Sequence, residues 1–488
     1  MKTIKSILQY SITSIFLLLT VFGCAINPVT GQRELMFVSE SQEVEMGKEL
    51  YPNALWGDLG GGGEYKDEKL KAYLKDIVIR IHSVSHRPNL PVQFAIQNSS
   101  VPNAWAIPGY VVITRGLLAS LENEAEFAFV MGHEMGHVSA RHFARQITSG
   151  MLLQAGLAAA GIAMSGKGYS DVAMNIGSIG GSLLLLKYSR DHELEADRLG
   201  ILYMAKLGYN PENAVSAHKN LEKISQEYMK SLGKDAKERG FFEDLLSTHP
   251  RTSVRIEEIQ HMINEMQPFA VTGDGANKEK FQTAVAELKN INKIYLEYYD
   301  KAVRAFGKNN IDEADALVSK AIKENPNQPS FHTLKGFIRL KRKDYIDAEK
   351  YFNAALNLDK DYEPALRGMG MIRYFKGEYS DSAGYLKRSI SLFPQDIPAH
   401  YFLGMSYYKM RMYKTAIPHL RISAEAQPKH PEIHGILGIC YENINDIYSA
   451  YDEYVMQLKV NPTNEMGRHA ASRVAVLRLI LEGSRIRR

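Results

Sequence analysis

In the stretch Met131-Gly132-His133-Glu134-Met135-Gly136-His137, two histidines stand four residues apart with a glutamate directly after the first. Four helical residues turn through about 400°, so His133 and His137 project from one face within reach of one metal ion. Glu134 lies on the flank of that face, where its carboxylate can take a proton from water rather than ligate. These are the residue types of a catalytic zinc site, a base beside a nucleophile. Two histidines at this spacing are also a common packed pair, so the pattern needs a second element to carry weight.

The helix that must hold them is well specified. Ser120 is read as its N-cap, Glu122, Glu124 and Glu126 favour its first turns, and Phe127, Ala128, Val130 and Met131 form a buried stripe. A catalytic zinc takes three protein ligands and leaves one position open, so a third ligand is required. The run from Ser189 to Ile201 predicts a second helix ending at Gly208, ahead of Asn210-Pro211. On it Glu193 and Asp197 share a face with Gly200, Ile201 and Met204, whereas Glu195 is rotated about 200° from Glu193, towards solvent. Glu193 is therefore the expected third ligand. Asp197, one turn on, suits an acceptor for the other ring proton of a ligand histidine. The competing reading is a solvated acidic helix face.

At this point the chain resembles the zinc endopeptidases related to the CAAX prenyl protease and to the membrane heat-shock protease HtpX. The shared motifs are His133-Glu134-x-x-His137 with Val138-x-x-Arg141-His142, and Ser189-Arg190-x-x-Glu193-x-x-x-Asp197. Asn103-Ala104-Trp105-Ala106 with Pro108-Gly109 and Thr248-His249-Pro250 with Arg255-Ile256 also match. The resemblance implies a minigluzincin-type peptidase domain, one Zn2+ per chain, two histidines and the first glutamate as ligands, and Asn103, Ala104 and Trp105 near an edge strand that pairs with extended substrate. In one branch a histidine of the Thr-His-Pro motif completes the metal shell and holds the enzyme latent, which makes His249 a candidate fourth ligand. Arg255 is read as orienting a carboxylate or steadying the oxyanion, with a plain surface arginine as the alternative.

Residues 1–23 read as an export signal, with Lys2 and Lys5 ahead of an apolar core from Ile12 to Phe22. Val21-Phe22-Gly23-Cys24 is similar to a lipoprotein cleavage box, making Cys24 a lipidation candidate, against an ordinary secretory signal with an incidental cysteine. Ala25 favours an outer-membrane anchor facing the periplasm in a diderm cell. Cys440 is the only other cysteine, so a lipidated Cys24 leaves no intrachain disulfide. A formal charge of +4 over 488 residues, with no nucleic-acid motif, sets nucleic-acid partners aside.

Alternation at Val92, Phe94 and Ile96 and the run Tyr110 to Thr114 predict a small sheet before the metal helix. Helices are expected from Ser39 to Leu50 and over residues 67–84. The apolar runs Met151 to Met164 and Val172 to Leu186 are each too short to span a bilayer and read as helices over the cleft with a covering loop. Beyond residue 294 the chain repeats every 34 residues: Pro326, Lys360, Pro394, Pro428 and Pro462, and Gly336, Gly370, Gly404 and Gly438. This is the tetratricopeptide pattern of stacked helix pairs, whose concave face binds protein.

The expected architecture is thus α+β and mainly helical: a zinc peptidase domain over 24–270 with a small sheet, a linker over 271–294, and an all-α solenoid over 295–481 ending in a capping helix. The joint pattern resembles envelope quality-control peptidases of this family. That implies hydrolysis of misassembled or unfolded outer-membrane proteins, with the repeats docking substrates or the assembly machinery. The rival reading is a chaperone or scaffold with a latent or structural zinc site.

Overall fold

The computed structural model describes residues 24–58, 61–165, 188–231, 253–266 and 268–486. The export signal, the apolar run from Val172 to Leu186, and His249 lie outside these residues. Among the described residues no helix is long and apolar enough to cross a membrane. The chain divides into two compact units between Lys293 and Ile294.

The first unit opens with a hairpin in which β1 (Cys24–Ile26) pairs antiparallel with β2 (Arg33–Leu35). Helix α1 (Glu40–Asn53) starts at Ser39 through a reciprocal capping box with Gln42, which satisfies two backbone donors that the first turn leaves free. Helix α2 (Glu68–Ser83) is capped by Asp67 and buries Leu70, Leu74, Ile77, Val78 and Ile81, the spacing its sequence carries. In the three-stranded sheet, β5 (Tyr110–Thr114) lies in the centre, parallel to β3 (Gln93–Gln97) and antiparallel to β4 (Ala104–Ile107), which is left as an edge.

A short helix α3 (Arg115–Ser120) then leads into the metal-motif helix α4 (Glu124–Ser139), every residue of which is buried. Its N-cap is Asn123, whose side chain accepts from the Glu126 backbone, and not Ser120 as the sequence pattern suggested. Ser120 ends α3 instead, its hydroxyl donating to the Leu117 carbonyl. Beyond α4, Arg141 adopts a left-handed φ of 57°, breaking the helix before α5 (His142–Ser165). Helices α6 (Arg190–Lys206) and α7 (Asn213–Ser231) pack against α4, and α8 (Ser253–Met266) packs on α6 and α7 in turn.

Residues 271–294 are not a linker. They carry α9 (Lys278–Ile294), whose Phe281, Val285, Leu288 and Ile291 recur at helical spacing and are buried. The Phe281 ring centroid lies 6.3 Å from that of Phe127 on α4, and Asn277 donates to Glu124 at 3.1 Å. An amphipathic stripe of this length buries itself on the nearest apolar surface, here the peptidase unit.

The second unit is the expected series of helix pairs, from Asp300–Gly307 with Ile311–Glu324 to Ile433–Asn443 with Ile447–Val460, followed by Glu465–Ile486. Gly336 is where the Phe352 ring seats, and a Cβ there would come within 2.7 Å of it. The turn inside each pair places one residue in the left-handed region: Asn309, Lys343, Gly377, Arg411 and Asn445, again 34 apart.

Candidate metal centre and substrate cleft

Helix α4 supplies His133 and His137 and helix α6 supplies Glu193, and the three form the group among the described residues suited to hold a metal ion. Their approach rests on small residues where the two helices cross. A Cβ on Gly132 would lie 3.1 Å from Gly200 Cα, one on Gly136 3.1 Å from Ala196 Cα, and one on Gly200 3.0 Å from the His133 backbone nitrogen. With no side chains between the backbones, Glu193 on α6 comes level with the imidazoles of α4.

The ring Nε2 atoms of His133 and His137 are 3.1 Å apart. Glu193 Oε1 lies 3.5 Å from His137 Nε2, and Oε2 lies 3.7 Å from His133 Nε2. Two nitrogens bound tetrahedrally at about 2.0–2.1 Å from zinc stand about 3.3 Å apart, so the donors already have the spacing of such a shell. The protonation pattern fits as well. His133 Nδ1–H donates to Asp197 Oδ1 at 2.8 Å, which leaves its Nε2 lone pair turned to the centre.

Behind the ligands, Arg255 on α8 donates from Nε and Nη2 to Asp197 at 2.9 and 2.7 Å, and from Nη1 to Glu193 Oε2 at 2.7 Å. Arg255 is buried and bonds both carboxylates at once. Burial opposes charge on Asp197, yet Arg255 and His218 beside it and the His133 hydrogen bond hold its carboxyl well below the usual range. His218 stands 3.4 Å from Asp197 Oδ1, and burial drives its imidazole below the ordinary histidine value.

Glu195 is where the helical-wheel reading errs. It does not face open solvent: its carboxylate accepts from His142 Nε2 at 3.0 Å and from Arg145 at 3.2 Å. The N-terminal segment and α5 cover that side of α6, a neighbour that a single helix cannot reveal. Sequence reasoning also passed over Tyr188, whose ring stacks on His137 with centroids 4.0 Å apart. Burial raises its phenol, and the charges of Glu134 and Glu193 add to that. Its place two residues ahead of α6 was the only available signal.

A cleft opens beside the donors, lined by Glu134, His133 and Arg255, by Leu117, Phe129, Val130 and Leu221, and by Asn103 and Ala104 at the start of β4. The side-chain nitrogen of Asn103 is buried there and makes no hydrogen bond to another described residue, although its backbone is locked to Thr114 at both ends. Trp105, named with its neighbours as a substrate-strand candidate, faces the other way: strand alternation turns its indole to donate to Gln97 at 3.1 Å. His249, the candidate fourth ligand, lies outside the described residues.

This fold and donor set define a metallopeptidase domain joined to helical repeats. Residues 67–263 match Peptidase family M48 and residues 299–363 match the tetratricopeptide repeat, so the chain carries an M48 metallopeptidase domain followed by such repeats. Among its relatives are the mitochondrial metalloendopeptidase OMA1 of Schizosaccharomyces pombe, 28% identical over 51% of this chain and 68% of that protein, and the Arabidopsis thaliana protein of the same name, 34% identical over 34% and 31%. The beta-barrel assembly-enhancing protease of Escherichia coli strain K12 is 26% identical over 48% of this chain and 46% of its own length. The chain thus spans less than half of the second and third of these relatives.

Proposed function

We propose that the chain is a zinc-dependent endopeptidase that takes one Zn2+ on His133, His137 and Glu193. The observation that carries this reading is the convergence of three metal donors, Glu134 and the edge strand β4 on one cleft. Zinc bound there supplies Lewis acidity, polarising the scissile carbonyl and lowering the pKa of water. Glu134 accepts the proton of the attacking water and passes it to the departing amine nitrogen. Extended substrate adds to the edge strand β4, where the Asn103 amide, which has no partner among the described residues, donates to a substrate carbonyl. Leu117, Phe129, Val130 and Leu221 receive an apolar side chain next to the cleaved bond.

The substrates in this reading are unfolded or misassembled outer-membrane proteins, and the repeats dock them or the assembly machinery. The support is the joining of an M48 domain to tetratricopeptide repeats and the likeness to a beta-barrel assembly-enhancing protease. Residues 1–23 and Cys24 support export to the periplasm with a lipid anchor in the outer membrane. Loss of palmitate labelling in Cys24→Ala is the expected result, and retained labelling removes the anchor from the proposal.

The test of the enzyme is cleavage of casein or an unfolded β-barrel protein by the zinc-loaded chain, with Glu134→Gln beside it. We expect the variant to keep its zinc and lose at least ~100-fold in rate. Equal behaviour of the two proteins would leave a repeat-based chaperone as the better account.

A further inference from the structure

The two histidine donors are backed differently, and the difference gives a role to residues outside the metal motifs. His133 hands its Nδ1 proton to a carboxylate, Asp197. His137 Nδ1 instead faces another ring nitrogen, His142 Nδ1, at 2.8 Å. One proton lies between those atoms, and its owner decides whether His137 can ligate. If His142 owned it, the proton of neutral His137 would sit on Nε2, pointing at the metal position. The far side of His142 resolves the choice, because its Nε2 lies 3.0 Å from the Glu195 carboxylate, an acceptor. With the His142 proton drawn to Nε2, His142 Nδ1 becomes the acceptor, His137 Nδ1–H donates, and His137 Nε2 carries a lone pair rather than a proton towards the metal position.

The left-handed turn at Arg141 makes this contact geometrically available. In an unbroken helix a residue five positions on is rotated about 140° away, whereas the break brings the His142 ring within 4.9 Å of His137, centroid to centroid. Glu195 is itself held. Arg145 donates to it at 3.2 Å and to Glu34 of β2 at 2.6 Å, and Asn27 donates to Glu34 at 2.9 Å.

Resting on the zinc peptidase reading, we propose that His142 and Glu195 are positioning residues that fix the ring tautomer of the ligand His137, with Arg145 of α5, itself held by Glu34 of the N-terminal hairpin, fixing Glu195. The relay needs an acceptor at residue 195 and not a charge, so Glu195→Gln preserves it and Glu195→Ala breaks it.

The experiment is zinc affinity of the full chain by chelator competition for the parent, Glu195→Ala, Glu195→Gln and Glu134→Gln, with the ring tautomers read by long-range proton–nitrogen NMR correlation on histidine-labelled protein. Glu195→Ala is expected to weaken zinc binding ~10–100-fold and to lose the Nδ1–H signature of His137, while Glu195→Gln stays within about threefold of the parent. An affinity for Glu195→Ala within about twofold of the parent overturns the relay, as does an equal loss in both Glu195 variants or an unchanged His137 tautomer in Glu195→Ala. The peptidase reading is judged separately by Glu134→Gln: if zinc-loaded parent and Glu134→Gln cleave alike, that reading fails while the affinity series still decides the relay.

Discussion

Arg255 concentrates the electrostatics of the site in one side chain. Its planar fork spans Asp197 and Glu193, so both buried carboxylates are oriented by it and Asp197 keeps its charge. Arg255→Leu strands two buried carboxylates, and we expect a loss of about 3–5 kcal/mol in stability by denaturant titration. Arg255→Lys retains the charge but not the fork, and the expected reading is a zinc affinity ~10–100-fold weaker in a folded protein. Asn103 offers a different signature: Asn103→Ala removes one donor to bound substrate, so KM for a peptide should rise about 2–10-fold with zinc affinity unchanged. A fall in metal affinity would assign Asn103 to the scaffold instead.

The crossing of α4 and α6 is the element on which the site depends. Gly200→Ala places a methyl 3.0 Å from one backbone atom of His133 and 3.3 Å from another, neither of which can rotate aside. The helices must separate, and we expect about 1–3 kcal/mol of destabilisation together with weaker zinc binding. Unchanged zinc affinity in a folded Gly200→Ala protein would show that the crossing has slack. In the repeat unit, burial and the facing His400 push His419 down to about 4 from an ordinary 6.5. Between those values the unfolded chain binds more protons than the folded one, so the stability contributed by neutral His419 is present above pH 6.5 and lost as pH falls towards 4. Urea titrations of the repeat transition at pH 4.5 and 7 should differ more in the parent than in His419→Gln; equal slopes would remove His419 as a cause.

At the scale of the molecule, the metal site lies within the first of the two units. A zinc ion that binds the folded site and not the unfolded chain stabilises only the unit that contains it. Chelation is therefore expected to lower the peptidase transition in calorimetry and leave the repeat transition in place. A common shift of both would mean that the units unfold together.

Much of this was legible in the chain because it depends on local period and residue type. The 34-residue step, the four-residue histidine spacing and the shared face of Glu193 and Asp197 follow from helical geometry alone. The strands at Val92, Phe94 and Ile96 and at Tyr110 to Thr114 are legible too, written as an alternating and a β-branched run. Tertiary structure decided what depends on neighbours remote in sequence. Glu195 looks solvated on its own helix and is partly covered because α5, tied to the N-terminal hairpin, folds against it. Residues 271–294 read as a connection until the Phe127 surface is present to bury Phe281. His142 gains its place under His137 from a left-handed residue, Arg141, whose type does not announce that backbone state. Periodicity tells which face of an element is buried; it does not tell what lies against that face, and the chemistry of this site is decided there.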